Sequence, residues 1–240
     1  EIIAMHGWAG NSKQFSKWID LFQSCNWQWQ TAERGYQDIN SNTPRWNKEL
    51  NQIGLKRVAI CHSLGSHLID KAILSSATHV ILINSFSRFI PNGNENRSVT
   101  IALNKMMKVI NTPNELSMLK KFHIKAYKPN DINLESTESY LLPISDSGKL
   151  RLKNDLKLLM NSDSLPTGLN TDAKVLVINS EKDYILANQT KEKLVEDLTS
   201  YLEVKPAIIN LPEEGHSISK INSIKTIKHW LEFDHAKNMV

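Results

Sequence analysis

Cys61-His62-Ser63-Leu64-Gly65 is the segment of this chain with the clearest chemical signal. It follows the apolar run Val58-Ala59-Ile60 and precedes a stretch of helical character from Ser66 to Leu74. Buried strand, tight turn with a central serine, then amphipathic helix is the context of a G-x-S-x-G nucleophile elbow. Such a turn forces the serine into a cramped backbone conformation and lifts its hydroxyl above the sheet, at the start of a helix. Small residues two positions to either side let strand and helix approach. Gly65 is one of them, and Cys61, small enough to fit, stands where the first glycine is usual. The plainer alternative is a serine that caps an ordinary helix.

A serine hydroxyl becomes a strong nucleophile only beside a base, and the base needs an orienting acid. His216 lies in Pro212-Glu213-Glu214-Gly215-His216-Ser217, just past the apolar run Ala207 to Leu211. Asp183 follows the run Val175-Leu176-Val177-Ile178 and a short polar turn, whereas Asp163 and Asp172 precede that run and are weaker candidates. A lone loop aspartate is usually just solvated, and a lone histidine is usually structural. Here Ser63, Asp183 and His216 each sit immediately past an expected strand, where parallel α/β sheets build their sites. The expected roles are Ser63 as nucleophile, His216 as general base and then acid, and Asp183 as the group that fixes the imidazole tautomer. His62 and His67 are five positions apart and would not share a helical face, so no metal site is expected there. The chemistry needs no metal and no organic cofactor.

The elements that must position these residues follow from hydrophobic periodicity. Strands are expected over 2–5, 27–31, 58–61, 79–83, 175–178 and 207–211, about six in all. Helices are expected over 15–22, 46–53, 64–76, 187–201 and 217–233. Strands alternating with helices imply an α/β fold with a mostly parallel sheet. Residues 86–165 break the alternation with helical patterns over 99–110, 115–127, 137–142 and 149–160. The expected division is a core of 1–85 and 166–240 with a helical cap, or lid, inserted at 86–165.

With elbow, acid, histidine and insert placed, the chain resembles the α/β-hydrolase superfamily over nearly its whole length. It opens at what would be that family's third strand, so the first two family strands look absent and residues may be missing upstream. Within the superfamily, His6-Gly7-Trp8 beside His62-Ser63-Leu64-Gly65 is similar to the BioH-like pimeloyl-[acyl-carrier protein] methyl ester esterases of biotin biosynthesis. That resemblance implies a serine carboxylesterase acting on an acyl methyl ester. It also implies an oxyanion hole formed by the backbone N–H groups of Trp8 and Leu64. Cys61 and the short N-terminus depart from the family pattern.

The insert bears on the substrate. Between Leu103 and Lys128 lie Lys105, Lys108, Lys120, Lys121, Lys125 and Lys128 against the single acid Glu115. Acyl carrier proteins are acidic, so Lys105, Lys108, Lys120, Lys121 and Lys125 are candidate carrier-protein contacts. The alternative for these lysines is a solvated helix face. Two other readings of the chain are a general carboxylesterase or thioesterase for small acyl substrates, and a non-catalytic binding protein on the same fold.

Composition bounds the rest. The chain has 240 residues, 40% hydrophobic and 22% charged, with formal net charge +4. That suits a globular core and is too mildly basic, without interleaved aromatics, for a nucleic-acid partner. No apolar run approaches the roughly 18 residues of a membrane span, and no secretory signal pattern is visible. Two cysteines, Cys25 and Cys61, make no disulfide framework, so a cytoplasmic setting is expected.

Overall fold

A computed structural model describes residues 1–47, 54–93, 95–131 and 143–233. Its strands are β1 (Ile2–Met5), β2 (Trp29–Ala32), β3 (Val58–His62), β4 (His79–Ile83), β5 (Lys174–Ser180) and β6 (Ala207–Leu211). They form one sheet in the order β2-β1-β3-β4-β5-β6, and every neighbouring pair is parallel. All residues of β1, β3 and β4 are buried, which is why these strands read as unbroken apolar runs rather than alternating ones.

Side-chain alternation along the strands divides the interior into two layers. Ile3, Met5, Ala59, Val80, Leu82, Val175 and Val177 face one side, packed against helices α3 (Lys71–Ser75) and α7 (Asn188–Tyr201) through Ile73, Leu74, Leu194 and Leu198. Ile2, Ala4, Val58, Ile60, Ile81, Ile83, Leu176 and Ile178 face the other, against α1 (Ser16–Gln23) and α8 (Ile221–Phe233). Trp18, Phe22, Ile227 and Trp230 supply most of the bulk there. The sheet is thus sandwiched, and its strand ends are left to carry chemistry. No helix among the described residues is long and apolar enough to cross a membrane.

One expected helix is interrupted. Instead of a single helix over 64–76, the chain forms α2 (Gly65–Leu68) and α3, with Ile69 and Asp70 extended between them. The Asp70 carboxylate accepts a hydrogen bond from the Ala72 N–H at 2.8 Å and so caps α3. An aspartate inside a helical pattern offers the backbone this alternative, and Ile69 stays buried through the break. At α1 a 3₁₀ turn (Ser12–Phe15) capped by Asn11 precedes the helix, and β2 starts at Trp29 rather than at Trp27. The helices expected over 46–53 and 137–142 fall largely or wholly outside the described residues.

Between β4 and β5 the described residues form three helices, α4 (Glu95–Val109), α5 (Glu115–Tyr127) and α6 (Asp146–Asn161). Leu103, Leu119, Leu152, Leu156 and Leu159 from these helices, with Ile110 just past α4, join Trp8, Tyr36, Leu64 and Phe86 in a third apolar cluster. A polar clamp fastens α6 to the loop after β2. The buried Asp155 carboxylate accepts from Arg34 Nε and Nη2, both at 2.6 Å, and from the Tyr36 hydroxyl at 2.7 Å. Arg151 Nη1 donates to the Gly35 carbonyl at 2.6 Å, and Trp8 Nε1 to the Leu152 carbonyl at 2.9 Å. A carboxylate buried this deeply is costly without its cation. Arg34→Met, which strands Asp155, should lower unfolding stability by about 2–3 kcal/mol, somewhat under the usual cost because Arg34 is itself partly exposed. Urea unfolding measures this, and unchanged stability would mean that the clamp contributes nothing.

Candidate active site

Ser63 occupies the turn between β3 and α2 with φ of +54°, in the left-handed region. A non-glycine residue held there costs of order 1–3 kcal/mol, so the surroundings must over-determine it. They do so from both sides of the peptide. The Ser63 N–H donates to the Ile83 carbonyl at 2.9 Å, and the Ser63 carbonyl accepts from the Ser85 hydroxyl at 2.8 Å. Ser66 Oγ lies 2.8 Å from Ser85 Oγ and completes the cluster. Close packing explains the small residues around the turn. A Cβ on Gly65 would lie 2.5 Å from the Met5 carbonyl oxygen, and one on Gly7 would lie 2.9 Å from Ser63 Cβ. Cys61 fits in the first small position, fully buried, and burial pushes its thiol up to about 12, so it is an inert packing residue.

The three residues expected to act together meet in one hydrogen-bonded line. His216 Nε2 is 2.9 Å from Ser63 Oγ, and His216 Nδ1 is 2.8 Å from Asp183 Oδ2. Asp183 lies in the loop after β5, and its second oxygen accepts the backbone N–H groups of Ile185 at 2.7 Å and Leu186 at 3.1 Å. Burial opposes ionisation of Asp183, but His216 and these two N–H groups outweigh it and hold its carboxyl below the usual value. A charged Asp183 only accepts, so Nδ1 of His216 carries the proton. Nε2 of the neutral ring therefore presents its lone pair to the serine hydroxyl. The alternative acids lie elsewhere: Asp172 accepts from its neighbour Thr171 at 3.2 Å, and Asp163 pairs with Arg88 through a backbone bridge.

Two further side chains hold the histidine in place, and neither was expected to. The backbone carbonyl of His216 accepts from His62 Nε2 and from Asn84 Nδ2, each at 2.8 Å. Asn84, buried at the end of β4 with φ of +43°, also accepts the Ser180 N–H at 2.8 Å, which ties β4 to β5. The sequence signal for it was the polar pair Asn84-Ser85 directly after four apolar residues. His62 and His67 diverge, His67 Nε2 bonding the Phe86 carbonyl at 2.8 Å. Trp8 and Leu64 flank the serine, and their backbone N–H groups have no acceptor among the described residues.

Ser63 opens onto a cavity of about 570 Å³, walled by Trp8, Phe89, Leu103, Met106, Phe122 and Leu156 among others. Lys105, Lys121 and Lys125 border it, while Lys108 and Lys120 do not. The Trp8 and Phe122 rings meet edge to face at 5.1 Å beside the serine.

No protein-family model matches this sequence, and no curated protein does. Its structure is similar to that of an esterase from Exiguobacterium antarcticum, with TM-score 0.67 and 14% identity, covering 97% of this chain and 90% of that one. It is similar to an alpha/beta hydrolase enzyme from a Medee basin deep-sea metagenome library, with TM-score 0.60 and 16% identity over 100% of this chain and 90% of the other. It is also similar to the enol-lactonase from Burkholderia xenovorans LB400, with TM-score 0.66 and 12% identity over 96% and 90%. The chain has the α/β-hydrolase fold, with a six-stranded, all-parallel sheet between helices.

The buried imidazoles make stability pH-dependent. Burial, with the nearby His216, pushes His62 down to about 3, and burial pushes His123 down to about 4. Unfolded, both bind a proton near 6.5, so the unfolded state takes up more protons in this range. Stability should fall as pH drops from about 6.5 toward 4, by up to about 1.4 kcal/mol per pH unit for each ring. Urea unfolding at pH 7 and pH 5 reads this. A flat profile would show that these rings are not held neutral.

Proposed function

We propose that this protein is a serine ester hydrolase with Ser63 as nucleophile, His216 as general base and acid, and Asp183 as the orienting carboxylate. The observation that carries the reading is the continuous hydrogen-bonded line from Ser63 Oγ through His216 to Asp183, beginning on a left-handed serine at a cavity mouth. Ser63 Oγ bonds to the ester carbonyl carbon as its proton passes to His216 Nε2. The oxyanion takes the backbone N–H groups of Trp8 and Leu64, which have no other acceptor among the described residues and so are free to donate. Collapse expels the alcohol with the proton from His216. Water then releases the acid by the same route. Kinship of fold with an esterase and an enol-lactonase fits hydrolysis of an ester-type bond.

The substrate proposed is an acyl ester whose chain lies in the 570 Å³ apolar cavity, most specifically the methyl ester of pimeloyl-acyl-carrier protein. Residues 86–165 are then the cap over a core of 1–85 and 166–240. Lys105, Lys121 and Lys125 at the cavity edge are the lysines suited to an acidic carrier, with Lys108 and Lys120 adding to the surrounding field.

Ser63→Ala should reduce hydrolysis of a p-nitrophenyl ester by at least about 10³-fold, and Asp183→Asn strongly through the wrong histidine tautomer, with both variants folded by circular dichroism. Retained activity in Ser63→Ala would remove the nucleophile assignment. Charge reversal at Lys105, Lys121 and Lys125 should lower kcat/KM for an acyl-carrier-protein methyl ester relative to a small ester. That gap should close as added salt shortens the Debye length below about 10 Å. An unchanged ratio at all salt concentrations would leave an esterase for small free substrates and no carrier protein.

A further inference from the structure

Beside the acyl cavity lies a second, much smaller chamber of about 20 Å³, which shares only Ser63, Trp8 and Phe122 with it. That volume suits one water molecule. The walls differ in kind from those of the acyl cavity. His62, His123, Gln14, Tyr127 and Ser217 contribute to them, and His216 lines this chamber but not the larger one. The base that must activate a nucleophile therefore faces the small chamber. Gln14 and Tyr127 also line a neighbouring pocket and an open surface groove.

One nitrogen of the wall residue His62 has no hydrogen-bond partner among the described residues. His62 Nε2 lies 2.8 Å from the His216 carbonyl, which only accepts, so Nε2 carries the ring proton. Nδ1 of the neutral ring is then a lone pair. It is buried and has no hydrogen-bond partner among the described residues, although such atoms are nearly always satisfied. It sits near the space where Gly7 has no side chain: a Cβ there would come within 3.5 Å of Nδ1 and 2.9 Å of Ser63 Cβ. The His62 and His216 rings are neighbours, tilted by 51° with centroids 5.0 Å apart, and both line this chamber.

We infer that His62 Nδ1 positions the water that deacylates the enzyme, in a chamber separate from the acyl cavity. This rests on the ester-hydrolase reading above. The water donates one hydrogen to His62 Nδ1 and the other to His216 Nε2, and its oxygen attacks the acyl carbon on Ser63 Oγ. A C–O bond forms from water as His216 takes that proton. The carbon–Oγ bond then breaks, the proton passes to Oγ, and the carboxylic acid leaves. Acylation uses the serine hydroxyl instead and does not need Nδ1, so His62 acts through the water and is a positioning residue.

The test separates the two half-reactions with p-nitrophenyl acetate in stopped flow, with intact-protein mass spectrometry of the acyl-enzyme. In His62→Gln the amide can reach the position of Nε2 and keep the bond to the His216 carbonyl, while the Nδ1 acceptor is lost. Deacylation should slow about tenfold, the worth of one hydrogen bond, with acylation changed less than about threefold and acetylated Ser63 accumulating. His62→Asn keeps a polar atom near Nδ1, so its ratio of deacylation to acylation should stay within about threefold of wild type. Equal slowing of both steps in His62→Gln, or no slowing, overturns the inference. If His62→Gln does not fold, a tenfold fall in that ratio in His62→Asn overturns it and a preserved ratio supports it. Wild type that turns over no ester overturns the hydrolase reading as well, which tells the two failures apart.

Discussion

A serine at φ of +54° does not stay there unaided, and much of the surrounding structure is what keeps it there. The turn needs strand β3 buried between β1 and β4 so that its end is fixed, and it needs Gly65 pressed onto the Met5 carbonyl so that α2 can start at once. It needs the Ser85 hydroxyl on the Ser63 carbonyl and the Ile83 carbonyl on the Ser63 N–H. Each of these contacts comes from the exit of a neighbouring strand. The parallel sheet thus supplies both the rigid edge and the polar groups that meet there.

The same strand ends hold His216. His216 is gripped through its own backbone carbonyl by His62 from β3 and Asn84 from β4, and its ring is gripped by Asp183 from beyond β5. Helix α5 and the residues just after it reach this loop too. The Ser217 N–H donates to the Ala126 carbonyl at the end of α5 at 2.9 Å, and Asn130 Nδ2 donates to the buried Glu214 at 3.2 Å. The Arg34–Asp155 clamp in turn fastens α6 to the loop after β2. The walls of the cavity at Ser63 and the position of His216 are therefore set by one connected structure.

Much of this was legible in the residues themselves, for physical reasons that vary by element. β1 and β4 match their expected bounds because each is a compact, mainly apolar run between polar residues, β6 because Pro206 and Pro212 bracket it, and α5 because Pro113-Asn114 marks its start. β2 begins two residues late because the Trp27 N–H donates to the Phe22 carbonyl of α1 at 3.2 Å instead of entering the ladder. The helix after the elbow breaks because Asp70 caps the next one. Ser63, Asp183 and His216 could be picked out because each directly follows a strand. The supports of His216 could not: its bonds to His62 and Asn84 join residues 154 and 132 positions apart, and no local pattern records such a meeting.

The central claim, that the Ser63 hydroxyl is activated by the His216–Asp183 pair, is tested most directly by covalent labelling. A fluorophosphonate reacts with an activated serine and leaves ordinary hydroxyls untouched. Peptide mapping after labelling at neutral pH should find a single adduct, on Ser63, formed rapidly in the native protein and absent after unfolding. An adduct on another residue, or none on Ser63, would contradict the account.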